Sequence, residues 1–240
     1  FFRRESQSTM AHRAKEANDS HDTWPPWYDY QPGVVPVPSH ITHLRIGVKE
    51  AMEAAQNGST PATIEPPEAF CSRHPNLQQV QIHVHTVHYV ASASFQQCPN
   101  LEQVEFVATT GGESRISSSS SAAAGAALIP KLTMIRDDAF RQCHNLHSVI
   151  GMEHLCDSLE RIGHFTFLEC GKLTTLDFSH LTRLQYLGEK AFIDCKSLTV
   201  VDLSNSLLLE TICERTFTFS KALKKICLPP NLKRIETMAF

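Results

Sequence analysis

The sequence is short of most features that mark a catalyst, a membrane protein or a nucleic-acid binder. No run approaches the ~20 apolar residues that a membrane-spanning helix needs. Positive charge is not in excess: 22 Lys and Arg stand against 25 Asp and Glu, with pI near 6.5. No general pull toward nucleic acid or anionic membrane is therefore expected. Cysteine is sparse, at eight in 240 residues, far below the density of a disulfide-stapled scaffold. No two cysteines sit at the C-x2-4-C spacing of a structural zinc site. The nucleophile elbow G-x-S-x-G, the zincin H-E-x-x-H, the P-loop and the dinucleotide fingerprint are missing. GGES at 111–114 falls in low-complexity sequence and adds nothing. These absences argue against an enzyme, and no cofactor is expected. The first residue is Phe rather than Met, and the chain stops at Phe240 in mid-pattern. It reads as a fragment whose flanks, including any signal peptide, stay open.

What is present is a repeat. Phe95, Phe140, Phe167, Phe192, Phe217 and Phe240 each follow Ala, Thr or Ser, at spacings of 45, 27, 25, 25 and 23 residues. Five residues before each stands Val90, Ile135, Ile162, Leu187, Ile212 or Ile235, and eight before stands Val87, Leu132, Leu159, Leu184, Leu209 or Leu232. Six after comes Leu101, Leu146, Leu173, Leu198 or Leu223, and nine after Val104, Val149, Leu176, Val201 or Ile226. Phe70 begins an earlier copy with one extra residue, giving Leu77, Val80 and Ile82. ITHLRI (Ile41, Leu44, Ile46) matches the strand portion of a copy earlier still.

The rhythm L-x-x-L-x-L of LTVVDL (198–203) predicts a short strand with one buried face. LQYLG (184–188) then brings two apolar residues back to the core. GEKAFIDC (188–195) predicts a short helix or turn that turns Ala191 and Phe192 inward. One unit cannot bury all its sides alone, so units must stack into a solenoid with seven short parallel strands. The fold class is thus α/β: a parallel sheet of short strands, with short helices or turns on the opposite side.

The pattern Leu-x-x-Ile-(x)4-Phe-x-x-Cys-x-x-Leu-x-x-Val-x-Leu resembles the BspA-like leucine-rich repeat, the LRR_5 type. VPSHITHLRI is similar to the opening of such arrays in algal and other protist proteins. The resemblance spans roughly residues 40–240 and implies recognition roles, including adhesion among bacterial surface members. The expected organisation is a flexible N-terminal arm or partial cap over 1–39 and a leucine-rich-repeat domain over 40–240. That array is truncated at its C-terminus and broken by a low-complexity loop at 108–130. A shorter insertion, VKEAMEAAQNGSTP (48–61), predicts a helix ended by NGSTP.

Cys98, Cys143, Cys170 and Cys195 all stand three after Phe and should form a column, one per rung. Ser220 fills the same place in the next copy, which suits packing better than metal binding. Cys71, Cys156, Cys213 and Cys227 fall off the column, as candidates for exposed thiols. Unpaired thiols favour a cytoplasmic or nuclear compartment, with a surface location open if a signal lies outside the fragment. HVHTVH offers His83, His85 and His88, the most metal-like string, expected outside or at the turn because Val84, Val87 and Val90 point inward. No metal site is assigned, and the three histidines stand as a weak alternative. HNLH (His144, His147) reads the same way.

The outward side of the strands supplies the candidate binding residues Gln81, Gln103, Glu105, Thr175, Asp177 and Asp202, a polar and partly acidic stripe. It is flanked by Lys224 and Lys225 and lacks an aromatic anchor. The leading expectation is a non-enzymatic scaffold that binds a protein through this exposed face, with no nucleic acid and no membrane segment. The alternatives are a surface adhesion protein, or a regulatory repeat module of a larger protein whose effector domain lies elsewhere.

Overall fold

Each rung of the chain closes a three-sided coil, and each side bonds to the same side of its neighbours. The computed structural model describes residues 27–33, 36–60, 62–108 and 132–240. Most of the arm expected over 1–39 and nearly all of the 108–130 loop lie outside the described residues.

Strands are numbered in chain order. Among the described residues the first side is an eight-stranded parallel sheet. It runs through β1 (Tyr28–Asp29), β2 (His43–Ile46), β3 (Gln79–His83), β5 (Gln103–Val107), β7 (Ser148–Ile150), β9 (Thr175–Leu176), β11 (Val200–Asp202) and β13 (Lys225–Cys227). Seven of these are the L-x-x-L-x-L strands of the repeat, and β1 adds an eighth by pairing Tyr28 with Leu44. Alternation puts Val80, Val104, Leu176 and Val201 inside, and the residues between them outside.

The second side is also stranded. β4 (Tyr89–Val90), β6 (Met134–Ile135), β8 (Arg161–Ile162) and β10 (Tyr186–Leu187) form a parallel ladder, and β12 (Thr211–Ile212) pairs with β14 (Arg234–Ile235). These are the Leu-x-x-Ile segments. Two residues are too few for alternation to show in sequence, so only their buried Leu and Ile were legible.

The third side is built of turns rather than helices. Here the Phe N–H donates forward to the rung that follows: Phe95 to Ala139, Phe140 to Thr166, Phe167 to Ala191, Phe192 to Thr216 and Phe217 to Ala239, at 2.7–2.9 Å. Residues two before and two after each Phe are left-handed, Lys190 (φ +56°) and Asp194 (φ +61°) in the Phe192 rung. That conformation costs a non-glycine residue on the order of 1 kcal/mol, and the inter-rung bonds hold it. The small residue before Phe also has its reason. It is buried, and where it is Thr or Ser its hydroxyl folds back onto the carbonyl three residues earlier, as Thr166 does on Gly163 (2.8 Å).

The same backbone signature corrects the phase of the Phe70 rung. Ala69 and Arg73 are its left-handed pair, and Cys71 N–H makes the forward bond to Ser94 (3.1 Å). Cys71 therefore holds the Phe place and His74 the Cys place, with no extra residue inserted. Phe70, one position early, meets Phe95 edge-on (5.5 Å, 71°) and is covered by Tyr30. From Phe95 to Phe240 the rings are offset-stacked, with centroids 5.2–5.8 Å apart.

The insertion after β2 forms the expected helix, α1 (Val48–Asn57), ended by a left-handed Gly58 whose N–H bonds back to Ala54. A further departure falls at Gly151, where other rungs place Phe, Leu or Ile. Its φ is +79°, and a Cβ there would lie 1.9 Å from the Phe106 carbonyl oxygen. The core space is filled instead by Met152 and Leu155 of a 3-10 turn (Met152–Leu155).

Phe192 is fully buried in this stack. Phe192→Ala should cost ~3–5 kcal/mol in urea unfolding, whereas Cys195→Ser should cost ~1 kcal/mol or less. Equal losses for the two would contradict the assigned roles.

Candidate interaction surface

The outward side of the first sheet carries two columns. Register sets Gln79, Gln103, Ser148, Thr175, Val200 and Lys225 side by side. It likewise aligns Asp29, Arg45, Gln81, Glu105 and Ile150, and pairs Asp202 with Cys227. Asp177, two residues beyond Thr175, falls in the gap between Ile150 and Asp202. The six candidates read from sequence thus lie on one face, in two adjacent columns.

Most of their polar capacity is already engaged. Gln81 Nε2 donates to Glu105 Oε2 (2.8 Å), and Arg45 pairs with Asp29 (2.9 Å). Asp177 Oδ1 accepts the Ser179 N–H (2.8 Å), and Asp202 Oδ1 accepts the Ser204 N–H (3.0 Å). Both aspartates thereby tie the turn that leaves their strand. Hydrogen bonds from the Ser204 hydroxyl and then its N–H hold the Asp202 carboxyl below the usual range. Between the acidic residues, Ile150 and Val200 are each 42% exposed. Val200 lies on the outer column, which the polar reading of the stripe left out.

The histidine string departs from expectation. Val84, Val87 and Val90 do point inward, yet His83 and His85 are buried too, at 2% and 6% exposure. Insertions caused this: Gly47, leading into α1, receives the Thr86 hydroxyl (3.1 Å), and the 3-10 turn brings His154 near His83. The rings of His83 and His85 meet edge-on at 5.3 Å. His88 stays outside, beside Glu65 (3.7 Å). The three do not converge, and among the described residues no group of three or more His, Cys, Asp or Glu is placed to hold a metal. Burial, then repulsion from His85 and His154, pulls the His83 pKa down to about 4.

The cysteine column does more than fill space. Cys143, Cys170 and Cys195 each direct Sγ–H at the carbonyl of the preceding rung's Phe, at 3.0–3.2 Å. Cys98 does the same to Cys71, which stands in the Phe place, at 3.1 Å. Ser220 keeps the bond with its hydroxyl, to Phe192 at 2.9 Å. All four column thiols are fully buried. Burial raises the Cys143 and Cys170 thiols well above their ordinary value and pushes Cys195 up to about 12. Of the off-column cysteines, Cys71 and Cys213 are buried, and Cys156 and Cys227 are half-buried.

With the geometry in hand, the class is a solenoid of stacked, parallel-stranded repeats. A family model described as "BspA type Leucine rich repeat region" matches in six copies over residues 63–150 and 121–240. The chain belongs to that family. Among solved structures it is similar to a T. pallidum leucine-rich repeat protein, TpLRR, at 19% identity and TM-score 0.55. That match covers 88% of this chain and 77% of the other. A leucine-rich repeat protein from Bacteroides ovatus shares 17% identity over 84% of this chain and 62% of its own, at TM-score 0.31. A leucine-rich cell surface protein from Faecalibacterium prausnitzii shares 14% over 90% and 81%, at TM-score 0.28. No curated protein matches the chain. Among the described residues no helix is long and apolar enough to cross a membrane.

Two measurements test these assignments. In the native state Cys98, Cys143, Cys170 and Cys195 should resist thiol labelling and react only after denaturant is added, since a protonated, buried sulfur is a poor nucleophile. Rapid native labelling of the four would contradict the column. The His83 linkage has a definite sign. Its folded pKa lies below the ordinary 6.5, so the unfolded chain binds the proton more readily. Stability held by neutral His83 is complete above about pH 6.5 and is lost as pH falls toward about 4, by at most ~3 kcal/mol. His83→Gln should flatten the slope of unfolding free energy over that window; an unchanged slope would assign it to other groups.

Proposed function

We propose that the chain is a non-enzymatic leucine-rich-repeat scaffold that binds a protein partner through the exposed face of its first sheet. The observation that carries this reading is the pair Ile150 and Val200. Both are large, apolar and 42% exposed, two strands apart on a face whose acidic residues already have partners. Exposed apolar groups framed by polar ones are the arrangement of an interface core and its rim. Gln81, Gln103, Glu105, Thr175, Asp177 and Asp202 form that rim. Internal bonds fix Gln81, Glu105, Asp177 and Asp202 before a partner arrives, which lowers the ordering cost of binding. Membership of a repeat family built to present extended surfaces supports the same reading.

The test is an Ile150→Glu/Val200→Glu double variant beside a control charge reversal, Lys172→Glu, at an exposed position off this face. Partners are identified by quantitative affinity purification and then titrated against each purified chain. The expected result is a partner whose affinity falls about tenfold or more with the double variant and is unchanged with the control. A partner bound equally by all three chains would move the interface to another face.

A further inference from the structure

The outward side of the second ladder carries a different chemistry. Arg136 lies flat on Tyr89, with the guanidinium carbon 3.7 Å from the ring centroid, and Arg161 lies on Tyr186 at 4.3 Å. Arginine ion pairs among the described residues use Arg45, Arg141, Arg183, Arg215 and Arg234. Arg136 and Arg161 make none among the described residues, so the rings hold both guanidinium groups without taking up their N–H donors. Between them opens a recess of about 260 Å³, also lined by Ser92, His164 and Tyr186. Gly163 lies beside it as a close-approach glycine, since a Cβ there would lie 2.6 Å from the Asp137 nitrogen and 2.7 Å from the Arg136 carbonyl carbon.

The His164 tautomer fixes the hydrogen bonds of the recess wall. Its Nδ1 accepts the Glu189 N–H (3.2 Å), so the proton of the neutral ring sits on Nε2. Nε2 lies 3.1 Å from the Tyr186 hydroxyl and donates to it. The Tyr186 hydroxyl also lies within hydrogen-bonding reach of the Cys213 thiol, so its own proton has an acceptor in the protein. One carboxylate, Asp137, also lines the recess, and its Oδ1 is occupied by the His164 N–H (2.8 Å). Two arginines face this one lining carboxylate, and Glu189 stands close enough to act on Tyr186.

We propose that this recess is a docking pocket for one carboxylate side chain, Asp or Glu, presented by a partner peptide, with Arg136 and Arg161 as donors. The inference rests on reading the chain as a protein-binding scaffold, though not on which face binds the main partner. Arg is among the residues that dominate interface energetics, and its planar fork matches the two oxygens of a carboxylate.

The probe is acetyl-Ala-Glu-Ala-amide, titrated at low salt into the ¹⁵N-labelled chain, with acetyl-Ala-Gln-Ala-amide and the phosphoserine analogue as comparison arms. The Nε–Hε signals of Arg136 and Arg161 should shift saturably with the Glu peptide and not with the Gln peptide. Arg161→Gln should weaken that binding about tenfold with an unchanged melting midpoint, and Ile150→Glu/Val200→Glu should leave it intact. Absence of a saturable shift would overturn the pocket, as would persistence of the shift in Arg136→Gln/Arg161→Gln. Saturation by the phosphoserine peptide alone would overturn its carboxylate chemistry. None of these results touches the sheet-face reading, which stands or falls on the partner lost by the sheet-face variant.

Discussion

The constraint on which the array depends is the carbonyl of each rung's central residue. On the turn side both its N–H and its C=O face the next rung. The N–H finds a backbone carbonyl there, as Phe167 finds Ala191. The facing carbonyl meets a side chain, because the N–H groups of the next rung are directed forward or closed into local turns. That carbonyl already accepts the N–H three residues on in its own rung, as Phe167 does from Cys170 (3.1 Å). Its second lone pair faces the next rung with room for one more donor, worth ~0.5–1.5 kcal/mol. A small donor three residues past the ring supplies it, and Cys or Ser fits without displacing the neighbouring leucine. The thiol is thus both filler and donor. Its S–H is the weaker donor, which its apolar fit offsets in a place that water does not reach.

This constraint explains the tolerances of the repeat. The Phe place accepts Cys71 because what must be preserved there is backbone geometry, and Phe70 supplies the missing bulk from one position earlier. The Cys place accepts His74, whose Nε2 reaches the Pro38 carbonyl at 2.8 Å while Nδ1 takes the Leu77 N–H. Along the turn side the left-handed positions point polar groups outward, and these join across rungs: Arg73 to Gln97, Gln97 to Gln142, Gln142 to Glu169. At the next corner Asn76, Asn100 and Asn145 each cap a carbonyl of the rung before. Stacking is therefore specified on every side of the coil, which suits a solenoid whose rungs contact only their neighbours.

Much of this was legible in the sequence, for a physical reason. Buried positions recur with the rung, so Leu198, Val201 and Phe192 declare themselves by repetition. α1 declared itself by composition and its Gly58 stop. Three things did not show. The second ladder uses two-residue strands, too short for a period. The left-handed positions are occupied by Lys, Asp, Arg and even Phe165, so no glycine marks them. Burial of His83 and His85 depends on segments outside the repeat, around Gly47 and His154. A template built from the repeat alone put these histidines outside. Register did carry the six candidate residues to one face, while the bonds that engage Glu105, Asp177 and Asp202 are invisible without coordinates.

In a periodic fold, binding capacity concentrates where the period is broken while the core stays intact. Ile150 replaces a polar residue on the sheet face, and the glycine after it leads into the 3-10 turn. Gly163 lets the preceding rung approach closely, and a recess opens beside it between two arginines. The core stays filled at both places, by Met152 and Leu155 after Gly151 and by Ile162 before Gly163. The two breaks lie on opposite ladders of neighbouring rungs and differ in character, one apolar and one cationic. A partner that grips both must wrap the edge of the coil; a partner that uses one leaves the other for a second protein. A scaffold assembled from interchangeable rungs can carry both sites because each is a local edit, made on a backbone whose hydrogen bonds were already complete.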